Sequence, residues 1–229
     1  MIGLNESDFD LVKVPIVPKE KNQRVEKNQL TIEGNNLLGT ATTQLTGYQK
    51  VFAEYDKINA DSDNLPFFDI FLQQGNNKFE VKDIKDEGFF SQEEAINIDY
   101  DFAIPDYVKK VGDKIYVNLN IDKKFYHGDI ELEKRELDME MEYQYLNTYE
   151  MDLQIPEGYI VDDLPQNSEY KTDLYGYKIA YEEKDGMVIY KKELYVNFLL
   201  LEKKDFEDWN KMIAQIKEAY QEVLVLKKK

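Results

Sequence analysis

The stretch Tyr143 to Ile155, YQYLNTYEMDLQI, decides the fold. Tyr143, Tyr145, Tyr149, Met151, Leu153 and Ile155 share one parity, while Gln144, Thr148, Glu150, Asp152 and Gln154 share the other. Period-two alternation over a dozen positions predicts a long strand in a sheet with one buried and one wet face. Tyr175, Tyr177, Ile179 and Tyr181 repeat the pattern, and Asp185-Gly186 predicts a tight hairpin. Val188, Tyr190, Leu194, Val196 and Phe198 then return on the next strand.

Working outward, residues 29–33 and 38–45 alternate in the same way around a GNN turn at 34–36. Further strands are predicted near 79–84, 95–102 and 114–121. Helical spacing of three and four marks 47–60, through Tyr48, Val51, Phe52, Tyr55 and Ile58. A second helix opens at Asp205 as N-cap, with Asp208 three residues on, and carries the stripe Phe206, Trp209, Ile213, Ile216, Tyr220 and Val223. The short apolar run 67–72 fits either state. Long alternating strands need a second layer over their apolar faces. The expectation is therefore a mainly β fold: a two-layer antiparallel β-sandwich, jelly-roll-like, with two or three helices including one near the C-terminus. Residues 1–24 read as a linker or edge segment. Residues 25–229 read as one β-sandwich domain, with a sub-boundary near 105–114 as the alternative.

Composition narrows function more than it names it. A formal charge of −17 opposes nucleic acid and anionic membrane as partners. The run Lys227-Lys228-Lys229 is the one basic cluster and reads as solvated. No cysteine occurs, so thiolate nucleophiles, disulfides and Cys-ligated zinc are excluded. No apolar run reaches the roughly 18 residues of a membrane span. The first residues lack a basic start and an apolar signal core.

The search for chemistry yields weak candidates. His127 is the single histidine, set beside Gly128 at a strand end, and one loop histidine seldom supplies a catalytic base. Asn59, Asp61 and Asp63 begin like a calcium loop, but Asn64 stands where glycine is required and Ile70 where the bidentate Glu belongs. The carboxylate pairs Asp162-Asp163, Glu93-Glu94 and Glu182-Glu183, together with Asp122, are not ranked by sequence among 46 acidic residues. No phosphate-binding glycine motif occurs. Asn5-Glu6-Ser7 matches a glycosylation sequon, a short coincidence. The corner LQIPEGYIVDDLP (153–165) ends a strand at Pro156, turns at Gly158 and leaves Asp162 and Asp163 at the surface.

Four segments occur in a telling order: KIYVNLNI (114–121), KRELDMEMEYQYLNTYEMDLQIPEGYIVDDLPQNSEY (134–170), GYKIAYEEKDGMVIYKKELYVN (176–197) and DFEDWNKMIAQIKEAYQEVLVLKK (205–228). Together they resemble the C-terminal β-domain, of unknown function, of bacterial transglutaminase-like proteins. The pieces that carry the likeness are the strand around Arg135, the IPEGYIVDDLP corner, the hairpin and the closing helix. Residues 25–113 resemble the segment that follows the papain-like core in such proteins. That core uses a Cys-His-Asp triad, none of which maps onto this chain.

The resemblance implies a non-catalytic accessory or interaction domain, with no catalytic or metal-binding residues, no cofactor and binding residues unknown. Its implied partner is its own upstream transglutaminase-like domain or another protein. It further implies a periplasmic or cell-surface Gram-negative protein, with Met1 beginning a fragment cut after the core. Alternatives are a glycan- or peptide-binding module using a Tyr-rich sheet face, and a carboxylate-dependent hydrolase.

Overall fold

In a computed structural model, the described residues are 2–3, 9–10, 14–73 and 76–229. In chain order the elements are β1 (Ile2–Gly3), β2 (Phe9–Asp10), β3 (Gln23–Glu33), β4 (Asn36–Leu45), α1 (Gly47–Ser62) and α2 (Phe67–Leu72). They continue with β5 (Glu80–Glu87), β6 (Ile96–Ile104), β7 (Lys109–Val111), β8 (Lys114–Val117), β9 (Met139–Glu140) and β10 (Tyr145–Gln154). The chain closes with β11 (Tyr159–Asp163), β12 (Ser168–Lys171), β13 (Tyr175–Lys184), β14 (Met187–Val196), β15 (Leu200–Leu201), α3 (Phe206–Ala219) and β16 (Leu224–Lys228).

Eight strands form the main sheet in the order β12-β13-β14-β10-β3-β4-β6-β5. Neighbouring hairpins supply most of it. The β13–β14 turn has positive φ at Asp185 (52°) and Gly186 (76°), the backbone that a two-residue turn matched to strand twist requires. Every junction is antiparallel except one: β10 and β3 run parallel, with Tyr149 opposite Glu26. The sheet is thus mixed. Beside it lies a four-stranded sheet of order β11-β16-β8-β7. This is the mainly β, layered architecture that the alternation predicts, with three α-helices and no barrel among the described residues. In the main sheet β12–β13, β13–β14, β3–β4 and β5–β6 join consecutive strands, while β14–β10, β10–β3 and β4–β6 join strands that are not consecutive in the chain.

One face of the main sheet is buried across its six inner strands, while the edge strands β5 and β12 carry no buried residue. Tyr145, Tyr149, Met151 and Leu153 of β10 lie beside Val188, Tyr190 and Leu194 of β14, and Ile96, Ile98 and Phe102 continue the core on β6. Burying aromatic and branched aliphatic side chains contributes about 1.5–3 kcal/mol each, which is why the alternation decides the fold. α3 closes this face at the β12–β13 end. Phe206, Trp209, Met212, Ile213 and Ile216 are buried, and the Trp209 ring meets Tyr175 at 4.9 Å and Phe125 at 5.3 Å.

Several local expectations shift. The linker expected at 1–24 ends early, since β3 begins at Gln23 and Asn22 is fully buried. Asn5-Glu6-Ser7 lies outside the described residues. The Arg135 region is not a strand but a turn and coil, in which Arg135 donates to the carbonyls of Leu137 (3.0 Å) and Asp138 (3.2 Å). Asp208 does not close a capping box; its carboxylate accepts from the hydroxyls of Tyr170 (2.7 Å) and Tyr175 (3.0 Å). The final helix stops at Ala219, and Leu224–Lys228 form β16 in the interior of the second sheet, so Lys227 and Lys228 are strand residues whose run is still solvated, Lys227 half-buried and Lys228 and Lys229 exposed. The 67–72 run is a helix, and the 105–114 connection carries the short β7–β8 hairpin.

Candidate functional site

The sequence candidates do not converge. Among the described residues no group of three His, Cys, Asp or Glu side chains is placed to hold a metal ion. Asn59 and Asp61 lie in the last turn of α1 with Asp63 as its C-cap, and Asp61 pairs with Lys57 at 3.3 Å. His127 is exposed, its ring edge-on to Tyr126 at 5.0 Å. Glu182 and Glu183 are exposed near the β13–β14 turn. Asp162 sits at a bulge between β11 and β16 and receives Lys114 Nζ at 2.6 Å. That hydrogen bond holds its carboxyl below the usual carboxylate range.

Asp122 is the exception. It belongs to a cluster of charges under the sheet that sequence reading passed over. Along one row of the main sheet Lys192 (β14), Tyr149 (β10), Glu26 (β3) and Thr43 (β4) lie side by side. Lys192 Nζ donates to the Asp122 backbone carbonyl at 2.6 Å and lies 3.3 Å from its carboxylate. The same ammonium stands over the Tyr149 ring at 4.2 Å, and Tyr149 Oη donates to Asp122 at 3.2 Å. Arg24 pairs with Glu26 one step along β3, through Nε at 2.8 Å.

Burial by itself raises the Asp122 carboxyl, but the Lys192 charge and the Lys124 amide bring it below the usual range. Burial pushes Lys192 down, and Asp122 offsets only part of this. These ionised groups are committed to one another, and a buried pair of this kind costs desolvation that its partners must return. Beside them, Asn28 and the Thr43 hydroxyl are buried without a hydrogen-bond partner. The signal for this seam is in the sequence: Glu26 and Asn28 stand at the inward parity of β3, and Lys192 at that of β14.

The tyrosines expected to line an exposed sheet face are inside. Tyr145, Tyr149, Tyr175, Tyr177, Tyr181 and Tyr190 are all buried. The opposite, wet face carries a polar groove of about 720 Å³ lined by Asp83, Asp99, Asp101, Glu150 and Asp152 with Lys27 and Lys85. Asp99 there accepts from Thr42 at 2.7 Å, and Glu150 pairs with Lys191 at 3.0 Å.

The apolar surface that does face outward is on α1. Most of its apolar stripe is turned to solvent: Val51 is 53% exposed, Tyr55 61% and Ile58 51%, while Phe52 is half-buried and stacked on Tyr143 at 5.2 Å. The physical reason lies on the other side of the helix. Lys50 is buried, and its ammonium donates to the carbonyls of Gly88 (3.0 Å), Ser91 and Glu94 (2.6 Å). An ammonium enclosed by protein must find acceptors, and this ring of carbonyls fixes which face of α1 lies inside.

The helix start is held equally firmly. Asn22 accepts from the Tyr48 amide at 3.0 Å and donates to the Gln144 carbonyl at 2.7 Å. Gly47, at φ +54°, has no room for a side chain, since a Cβ would lie 2.3 Å from the Lys21 carbonyl oxygen.

The loop pinned by Lys50 is strained. Gly88 takes φ +86°, where a Cβ would strike the Ala95 carbonyl at 2.0 Å. Phe90 follows at φ +62°, a left-handed conformation that costs a bulky residue about 1–3 kcal/mol. Its amide donates to Glu54 of α1 at 2.7 Å, while its ring is 57% exposed. Between α1 and this loop lies a cleft of about 690 Å³ walled by Val17, Tyr48, Val51 and Phe90.

The fold and its outward apolar helix define a β-rich protein that presents a hydrophobic surface. Residues 113–226 match a protein family described as a Domain of Unknown Function with solved-structure structure, DUF3858. This segment includes β8, β10 to β14, α3 and most of β16, and nearly coincides with residues 114–229, where the sequence resemblance is strongest. A search of curated proteins finds no match.

Proposed function

We propose that this chain is an accessory interaction module, without catalysis of its own, serving a transglutaminase-like, papain-type core in the same polypeptide at the Gram-negative periplasm or cell surface. The observation that carries the reading is the outward apolar stripe of α1. A monomer rarely leaves a contiguous helix face of Val, Tyr and Ile in water, and such patches mark protein interaction surfaces. The resemblance of 114–228 to the tail domains of such proteins supplies the partner. The glycan-platform alternative loses its basis with the tyrosines buried, since rings inside the core are closed to sugars.

The experiment is direct. The genomic reading frame is expected to encode a Cys-His-Asp core, and that core, expressed separately, is expected to bind this chain in a pull-down and by calorimetry. A reading frame without such a core, or a core that shows no binding, sinks the proposal. Hydrolysis or cross-linking by this chain alone would do the same.

A further inference from the structure

We infer that the cleft between α1 and the 88–95 loop is the docking groove, and that its occupant is an amphipathic protein segment with an apolar stripe flanked by Lys and Arg. The inference rests on the interaction-module reading and adds where the partner sits and what chemistry it carries. The groove is prebuilt. Lys50 ties three loop carbonyls to α1, and Glu54 holds the Phe90 amide, so Phe90 stands as a fixed wall opposite Val51 and Tyr48. The Phe90 conformation is one that a phenylalanine adopts at a cost, while its ring stays in water. Strain held in place around an exposed aromatic ring is the pattern of a preorganised binding residue rather than of a packing residue.

The rim selects the occupant. Glu93 and Glu94 on the loop, with Glu54 on α1, border the apolar floor, and the one lysine in the lining, Lys50, is buried and spent on loop carbonyls. A segment that lays Leu or Phe into the groove and sets Lys or Arg against these acids satisfies both parts, in the manner of a helix in a groove. A second copy of this chain would bring the same acids together, on a molecule whose formal charge is −17. Self-association at this face is therefore opposed.

The test uses the whole chain and two synthetic amphipathic peptides, one Leu/Lys and one Leu/Glu, followed by fluorescence anisotropy. The Leu/Lys peptide is expected to bind saturably and to weaken as salt rises, while the Leu/Glu peptide stays free. Phe90→Gly is expected to weaken binding about tenfold or more. The same variant should keep or slightly raise the melting temperature, because glycine takes a positive φ freely. Glu182→Gln with Glu183→Gln, remote in sequence from the groove, should leave affinity unchanged. Equal affinity for wild type and Phe90→Gly overturns the inference, as does a lowered melting temperature, which would make the ring structural. Dimerisation in sedimentation that Phe90→Gly abolishes also overturns it. If the papain-type core binds wild type and Phe90→Gly alike, this groove is wrong and the module reading stands. If the core fails to bind while the peptide results hold, the reverse follows.

Discussion

α1 and α3 carry the same kind of apolar spacing and meet opposite fates. On α3 the stripe Phe206, Trp209, Ile213 and Ile216 is wholly enclosed, with Trp209 Nε1 donating to the Gly128 carbonyl at 2.7 Å. On α1 the stripe Val51, Tyr55 and Ile58 lies in water, and the residues turned inward are Lys50, Ala53 and Ala60. The helices belong to different parts of the chain. α3 falls within the family-matched 113–226, which supplies β10 and β12–β14 of the main sheet; α1 falls in the preceding segment, which supplies β3–β6. Helical spacing identifies an amphipathic helix, but the direction it faces follows from which side has better partners. For α3 those are aromatic rings, and for α1 they are carbonyls that accept from an ammonium.

The largest test of this contrast is Trp209→Ala. Removing a buried ring that touches Tyr175, Phe125 and Phe198 is expected to cost about 3–5 kcal/mol in urea unfolding. A loss comparable to a surface change would break the comparison at once.

The second test bears on the seam where the two parts meet, at the parallel β10–β3 junction. Lys192→Met alone leaves the Asp122 carboxylate enclosed without its ammonium partner and is expected to cost about 3 kcal/mol or more. Pairing it with Asp122→Leu should recover much of that loss, since an apolar pair removes both desolvation costs. The pH dependence follows the same charges. The folded Asp122 carboxyl lies below its ordinary value, so its contribution is complete above the unfolded carboxylate pKa of about 3.9. It is lost as pH falls from there through the folded value, and Asp122→Asn should flatten the acid limb of the stability curve. An unchanged acid limb would remove Asp122 from the account.

A smaller effect is expected of Lys50→Met. It leaves the carbonyls of Gly88, Ser91 and Glu94 without their donor, costing about 1–3 kcal/mol. Hydrogen exchange in 88–95 should quicken while the α3 amides stay protected. The smallest effect completes the comparison: Val51→Ser with Tyr55→Ser should change the stability of the isolated chain by only about 0.5 kcal/mol. A multi-kcal/mol loss there would mean that the α1 face packs inward after all.

Much was legible in the residues themselves. The alternation of 143–155 and 175–198, the Asp185-Gly186 turn and the spacing after Asp205 determined the strands, the hairpin and α3, because inside and outside are set locally by parity and period. What pairing and packing decided is different in kind. That β10 lies parallel to β3, so that Tyr149 meets Glu26, depends on a strand 123 residues away, and no local pattern specifies it. The inward charges of Arg24, Glu26 and Lys192 broke the apolar pattern visibly, yet their partner Asp122 sits in a loop that only folding brings beneath the sheet. Tertiary structure likewise turned the α1 stripe outward, because a buried ammonium finds its acceptors on the 88–94 loop, and a helix has only one side to give to them.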